Sequence, residues 1–321
     1  MQPMMFVVGL FLLYFGAGWL VRGASTLARS LGLTPMVVGL TVVAFGTSTP
    51  ELVVSLVSAV KGKSMIALGN VVGSNICNIA LVLGLTAMFQ PVTTSRIVIT
   101  RDIPLMLAAS VFLLLLSLNS VISRFEGLTL FGGILLYTWF NYKVAVRIDR
   151  TMTTTAAVGP SPDAGLMGRR WAQCLLIVLG TGAVVSGAEL MVDAAVSIMT
   201  SLGVDEKFVG LTVVAFGTSV PELATSVVAA LKREMDISLG NLVGSNVFNL
   251  LSVVGATAIV RPITIEGGFV HSGLVVDYLV MIAISAMPWL MMRRDLTISR
   301  RKGVILFGCY AAYVLFLILK S

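Results

Sequence analysis

Apolar stretches follow one another along this chain, each close to the ~20 residues a membrane span requires, with short polar turns between them. The pattern predicts helices over 4–29, 35–61, 64–88, 102–119, 124–147, 169–201, 206–232, 235–259, 269–292 and 302–320. One longer polar interval, Thr151–Gly168 (TMTTTAAVGPSPDAGLMG), is rich in Thr, Pro and Gly and reads as a linker. Five predicted helices precede it and five follow. An odd number per half turns the second half upside down in the membrane. The expectation is therefore an all-α integral membrane protein of about ten transmembrane helices in two inverted-topology five-helix repeats. Residues 1–147 form the first half, 148–168 the linker and 169–321 the second half.

The polar positions inside the spans are duplicated. Gly39–Ser48 reads GLTVVAFGTS, and Gly210–Ser219 reads the same. Each copy is closed by Pro-Glu, Pro50-Glu51 and Pro221-Glu222, at an offset of 171 residues (222 − 51). The offset persists downstream, where Gly69-Asn70, Gly73-Ser74-Asn75 and Asn78 match Gly240-Asn241, Gly244-Ser245-Asn246 and Asn249. Upstream the match is weaker: Gly16-Ala17 aligns with Gly187-Ala188, and Arg22 falls opposite Asp193.

Composition agrees with the pattern. The chain is 57% hydrophobic and 12% charged, with a mean hydropathy of +0.99; soluble domains average about 25% charged residues. The net charge of +7 is carried by loops and helix ends, where it sets orientation and does not imply a nucleic-acid partner. Fifteen lysines and arginines fall on the side opposite the first residue and six on its own side. The positive-inside rule then makes the linker cytoplasmic and both termini extracellular, in a multi-pass protein of the cell membrane. The first helix is long and carries Arg22 and Arg29 toward its end, as a retained span does. Cys77, Cys174 and Cys309 fall within spans with no metal-ligand spacing. The single histidine, His271, lies near a helix end and reads as interfacial.

Glu51 and Glu222 fall near the centres of their helices, where an ionised carboxylate costs at least about 2.5 kcal/mol. No lysine or arginine is predicted at that depth in helices 2, 3, 7 or 8, so cations from solution are the natural partners. Pro50 and Pro221 lack an N–H, which frees the carbonyls of Gly46 and Gly217. Freed carbonyls at membrane depth belong where they line a cavity. Thr47, Ser48, Thr218 and Ser219 add hydroxyl oxygens. Carboxylates, hydroxyls and carbonyls are hard ligands, suited to Ca²⁺ and Na⁺. Ser74 and Asn78 share a face of helix 3, as Ser245 and Asn249 do of helix 8. Polar residues of this kind also serve as hydrogen-bonded glue between helices, and two buried glutamates can form a protonated structural pair. Gly69, Gly73, Gly240 and Gly244 give GxxxG spacings, read as close helix packing. Glu189 and Asp193 form an i,i+4 acidic pair, either a solvated patch at a helix end or a vestibule that attracts cations.

The GTS-x-PE element, followed by GN-x-x-GSN-x-x-N and present twice, resembles the two α-repeats of the Ca²⁺/cation antiporters, above all the prokaryotic sodium/calcium exchangers. The resemblance covers nearly the whole chain. It implies ten helices, alternating access with helices 1 and 6 sliding across the core, and four cation sites between the repeats. By position, the implied ligands are Ala44 (backbone carbonyl), Thr47, Ser48, Glu51, Ser74 and Asn78, and in the second repeat Ala215 (carbonyl), Thr218, Ser219, Glu222, Ser245 and Asn249. Some relatives carry aspartate where this chain has Asn78 or Asn249, so the cage here offers two formal negative charges.

The expectation is an antiporter exchanging Na⁺ for Ca²⁺, with no enzymatic chemistry, no cofactor, and membrane lipid as its surroundings. A monomer suffices, because the site forms within one chain. The rivals are H⁺/Ca²⁺ exchange with Glu51 and Glu222 carrying the protons, a passive cation channel, and a non-transporting membrane sensor.

Overall fold

A computed structural model describes residues 2–152, 169–201 and 217–320. Its elements are helical apart from four two-residue strands. In chain order the helices are α1 (Gln2–Ser30), α2 (Pro35–Thr47), α3 (Thr49–Val60), α4 (Ser64–Phe89), α5 (Val98–Ser117), α6 (Arg124–Met152), α7 (Arg170–Ser201), α8 (Val220–Leu231), α9 (Met235–Val260), α10 (Leu274–Met292) and α11 (Arg300–Lys320). Seven of these, α1, α4, α5, α7, α9, α10 and α11, are long and apolar enough to cross a membrane, and the bent pair α2–α3 makes eight.

The helices expected over 4–29, 64–88, 102–119, 169–201, 235–259 and 302–320 are present with ends shifted by at most four residues. The span expected over 35–61 is two pieces meeting at a 45° bend. Pro50 denies the Gly46 carbonyl its donor, and Ser48 (φ −86°, ψ 7°) leaves helical geometry. The span expected over 269–292 starts only at Leu274, because Gly267, Gly268 and Gly273 adopt positive φ and hold the preceding residues in turns. Helix α6 runs past its expected end at 147 to Met152. The rest of the linker, 153–168, and the beginning of the span expected over 206–232 lie outside the described residues.

Two helices form the centre. Some 83% of the apolar stretch of α4 and 78% of that of α9 is buried, against 33% and 28% for α1 and α7. Phe11, Tyr14, Phe15 and Trp19 on α1 and Leu175, Val178 and Leu179 on α7 are exposed. Only lipid accommodates such faces without cost.

Helices α1 and α7 meet backbone to backbone at glycines. A Cβ on Gly16 would sit 2.8 Å from the Ala183 Cβ, and one on Gly180 would sit 2.5 Å from the Leu20 nitrogen. Gly9 and Gly187 oppose one another in the same way. The expected GxxxG packing is present at Gly240 and Gly244, where Met36 and Leu40 of α2 approach within 2.9 and 2.6 Å of an added Cβ. At Gly69 and Gly73 no atom of the described residues lies within 4 Å of such a Cβ, and the counterparts of Met36 and Leu40, residues 207 and 211, lie outside those described. Two small antiparallel bridges pin the loops, Val92–Thr93 to Thr297–Ile298 and Val121–Ile122 to Ile263–Thr264. Each joins one half of the chain to the other.

Candidate cation site

Each buried glutamate stands in the first turn of a helix that begins after a break. Glu51 follows Ser48, Thr49 and Pro50 at the start of α3, and Glu222 follows Ser219, Val220 and Pro221 at the start of α8. The N-terminal end of a helix dipole favours a carboxylate. The C-terminal end of α2, with its unsatisfied carbonyls, favours a cation beside it. Both glutamates have 0% exposure.

The central helices bring the other oxygens. Ser74 and Asn78 lie mid-way along α4, and Ser245 and Asn249 mid-way along α9, all buried. Wide π-helical turns, Cys77–Leu83 and Asn249–Val253, begin beside Asn78 and at Asn249. Such turns recur at functional sites because they re-aim side chains within a helix. Ser48 Oγ donates to Glu222 Oε1 at 3.1 Å, which joins the first half to the carboxylate of the second. The Thr47 hydroxyl lies 3.0 Å from Asn241 Oδ1 and 3.4 Å from Ser245 Oγ. The Ala44 carbonyl accepts the Ser48 N–H at 3.0 Å and faces the Thr47 hydroxyl at 3.4 Å. Ala215 lies outside the described residues.

Many of these oxygens are buried with no donor among the described residues. They are Glu51 Oε1 and Oε2, Glu222 Oε2, Ser74 Oγ, Asn78 Oδ1, Thr218 Oγ1, Ser219 Oγ and Asn249 Oδ1. A buried polar atom left unpaired costs about 1–3 kcal/mol, so eight of them, three on the carboxylates and five on other side chains, are not maintained for packing. The set fits hard cations in charge and in donor type. Among the described residues no group of three His, Cys, Asp or Glu side chains is present. The cage is two carboxylates surrounded by neutral oxygens.

Further residues orient this shell. Asn78 Nδ2 donates to Asn246 Oδ1 at 3.0 Å, and Asn249 Nδ2 donates to Asn75 Oδ1 at 3.2 Å. Asn75 and Asn246 also donate to one another's backbone carbonyls, at 3.4 and 3.2 Å. This crossed clamp ties down each amide nitrogen of Asn78 and Asn249, so both carbonyl oxygens are left without a donor. Behind it, Asn70 donates to Ser55 at 3.0 Å and Asn241 to Ser226 at 3.1 Å. The orienting roles of Asn75, Asn246, Ser55 and Ser226 were not assigned from sequence. The signal was present, because each pair also obeys the 171-residue offset.

A many-helix membrane protein with an oxygen-lined cage at broken helices is, by fold and site, an ion transporter. A sequence model described as sodium/calcium exchanger protein matches residues 1–143 and 173–319, and the chain belongs to that family of antiporters. It is 36% identical to the putative antiporter CaxA of Alkalimonas amylolytica, over 96% of this chain and 95% of that one. It is 30% identical to the sodium/calcium exchanger MaX1 of Methanosarcina acetivorans, over 97% of each. The solved structure of the sodium-calcium exchanger NCX_Mj, soaked with Na⁺ and Ca²⁺, superposes with a TM-score of 0.82 at 29% identity, covering 98% of this chain and 97% of that one. The protein is thus a multi-pass membrane transporter and not an enzyme.

Proposed function

We propose that the protein exchanges Na⁺ for Ca²⁺ by alternating access, through ten transmembrane spans arranged as two inverted five-helix repeats. In this reading α2–α3 is one broken span, and α8 is the described part of its counterpart. The cations are held by Thr47, Ser48, Glu51, Ser74 and Asn78 with the Ala44 carbonyl, and by Thr218, Ser219, Glu222, Ser245 and Asn249 with the Ala215 carbonyl. The observation that carries the reading is the set of buried, donor-less oxygens around Glu51 and Glu222. The reciprocal hydrogen bonds across the 171-residue offset support two equivalent halves meeting at that set. The excess of lysine and arginine on one side supports extracellular termini and a cytoplasmic linker. The cage is assembled within one chain, so a monomer suffices.

Coupling follows from charge. Na⁺ and Ca²⁺ compete for the same oxygens, and either occupant neutralises the carboxylates. Empty, the cage carries two unpaired buried charges, which disfavours crossing over without cargo. The test is ⁴⁵Ca²⁺ uptake into Na⁺-loaded proteoliposomes with the Na⁺, K⁺ and H⁺ gradients varied separately. Uptake that requires internal Na⁺ is expected. Uptake driven by a pH gradient with no Na⁺ would assign the coupling to protons, and uptake indifferent to ions on the far side would mean a channel.

A further inference from the structure

Some contacts around the cage come in pairs related by the 171-residue offset, as in Asn70 on Ser55 and Asn241 on Ser226, whereas Ser48 on Glu222 and Thr47 on Asn241 are one-sided, their counterparts Ser219, Glu51 and Thr218 making no such bond. A further one-sided group of contacts joins α1 to the turn between α8 and α9 and has no counterpart among the described residues. The Lys232 ammonium donates to the Gly18 carbonyl at 2.9 Å. Ser25 Oγ donates to Glu234 Oε1 at 2.6 Å, and Arg29 Nη1 lies 3.7 Å from the same oxygen. Shifted by the offset, Lys232 becomes Lys61, Gly18 becomes Glu189, and Arg22 becomes Asp193. The alignment runs without a gap from Gly9/Gly180 through Gly16/Gly187 and Ser30/Ser201 to Asn78/Asn249. Lys61, Glu189 and Asp193 are exposed, and among the described residues the ion pairs are Arg29–Glu234, Arg101–Asp102 and Lys302–Asp295.

We infer that Lys61 is a latch for the opposite access state, where it docks between Glu189 and Asp193 as Lys232 now docks on α1. The inference rests on the inverted-repeat reading above. If the halves exchange conformations when access switches, each one-sided contact defines its mirror contact in the other state. The chemistry at the mirror positions is complementary. Lys232 meets a neutral carbonyl and is faced by Arg22, and burial together with that arginine lowers its pKa below the ordinary lysine range. At the mirror position Lys61 meets a residue, Glu189, whose side chain stands where Gly18 leaves room for the Lys232 ammonium, so its carboxylate joins the backbone carbonyl as a partner, and a second carboxylate, Asp193, takes the place of the arginine. Glu234 is held by Ser25 and Arg29, whereas its mirror Lys63 meets Val196 and Thr200, which offer it no charge. Each state therefore has its own fastening, three contacts at one end and a lysine between two acids at the other. The acidic pair on α7 acts in switching and has no role in holding cargo. Lys61, Glu189 and Asp193 are positioning residues.

Two measurements on the full chain in liposomes test this. In the first, spin labels at exposed neighbours of the latch residues, Val60 with Ser186, report one distance and labels at Trp19 with Leu231 another, with Cys174 and Cys309 replaced by serine. Each pair is expected to show two distances in exchanging liposomes, the share of molecules short at 60–186 matching the share long at 19–231. A long 19–231 population with no short 60–186 population overturns the latch and leaves alternating access standing. A single distance at both pairs, while exchange proceeds, overturns both. In the second, Lys61→Glu and Glu189→Lys are each expected to slow exchange about tenfold, a coupling of ordinary size for a charged pair. Ca²⁺ affinity at equilibrium is expected to stay unchanged, and the double reversal to restore turnover. A double variant as slow as the product of the single losses would overturn the pairing.

Discussion

At the scale of single residues, the site depends on which oxygens are denied a protein donor. Glu51 has both carboxylate oxygens in that condition, and Glu222 has one, its other oxygen accepting from Ser48. Replacing either carboxylate by an amide removes half the formal charge of the two glutamates and sets an N–H where the proposed exchange places a cation. Removing one partner of a buried charge pair costs about 3–5 kcal/mol. Glu51→Gln and Glu222→Gln are each expected to lower Ca²⁺ affinity by roughly 100-fold or more, while the protein still folds and reconstitutes. Calorimetric Ca²⁺ titration of each variant checks this, and wild-type binding in either would remove it from the ligand set. The orienting asparagines give a milder prediction. Asn75→Ala frees the Asn249 amide to rotate, and Asn246→Ala does the same for Asn78. Each loses one side-chain hydrogen bond to its ligand, worth about 0.5–1.5 kcal/mol. Ca²⁺ affinity is expected to fall by roughly 2- to 10-fold in each, measured by the same titration.

At the scale of elements, the break between α2 and α3 sets the depth and direction of Glu51. Pro50→Ala supplies an N–H toward the Gly46 carbonyl and is expected to straighten the 45° bend and lower Ca²⁺ affinity by about fivefold, the value of one hydrogen bond diverted from the site. Unchanged affinity in the same titration would mean that Ser48 and the glycines alone fix the bend. A second prediction concerns α1 and α7. A leucine at Gly16 has no room beside Ala183 and Val184, and overpacking of this order costs about 1–3 kcal/mol. Gly16→Leu is expected to lower the melting temperature in detergent while leaving the cage residues in place. These cases also mark what was legible beforehand. The spans were readable because apolar length is a direct requirement of the bilayer, and the glutamates because a duplicated carboxylate in an apolar run has few explanations. The π-helical turns at Asn78 and Asn249 left no mark, because an extra residue per turn changes no residue type. The late start of α10 was hidden as well. Val270 and Phe269 continue the apolar run, while the positive φ of Gly267, Gly268 and Gly273 ends the helical path. The two-residue bridges between loops were beyond reach, being too short for any alternation to register.

At the scale of the whole molecule, the charge of the cage determines what a membrane potential can do to the exchange cycle. Asn78 and Asn249 stand where a carboxylate would add a third or fourth charge, so Glu51 and Glu222 supply the full formal charge among the buried residues of the cage. One Ca²⁺ brings this to zero. In the proposed exchange, three Na⁺ would leave one positive charge, and the Na⁺-loaded protein would carry that charge through the field as it switches. One elementary charge crossing 100 mV is worth about 2.3 kcal/mol, enough to shift the balance of the exchange by roughly 50-fold. Proteoliposomes clamped at set potentials with valinomycin and K⁺ are therefore expected to show Na⁺-driven Ca²⁺ uptake that rises when the interior is made positive, because each cycle moves Na⁺ outward. Asn249→Asp, ionised, would bring the Na⁺-loaded cage to zero and leave the Ca²⁺-loaded cage at −1. The field would then act on the other half of the cycle, and the voltage dependence would move from the Na⁺-loaded step to the Ca²⁺-loaded one. Exchange in the parent protein whose reversal point ignores the imposed potential would mean that two Na⁺, or a Na⁺ and a proton, balance each Ca²⁺. The two asparagines would then have to be explained by the geometry of the crossed clamp alone.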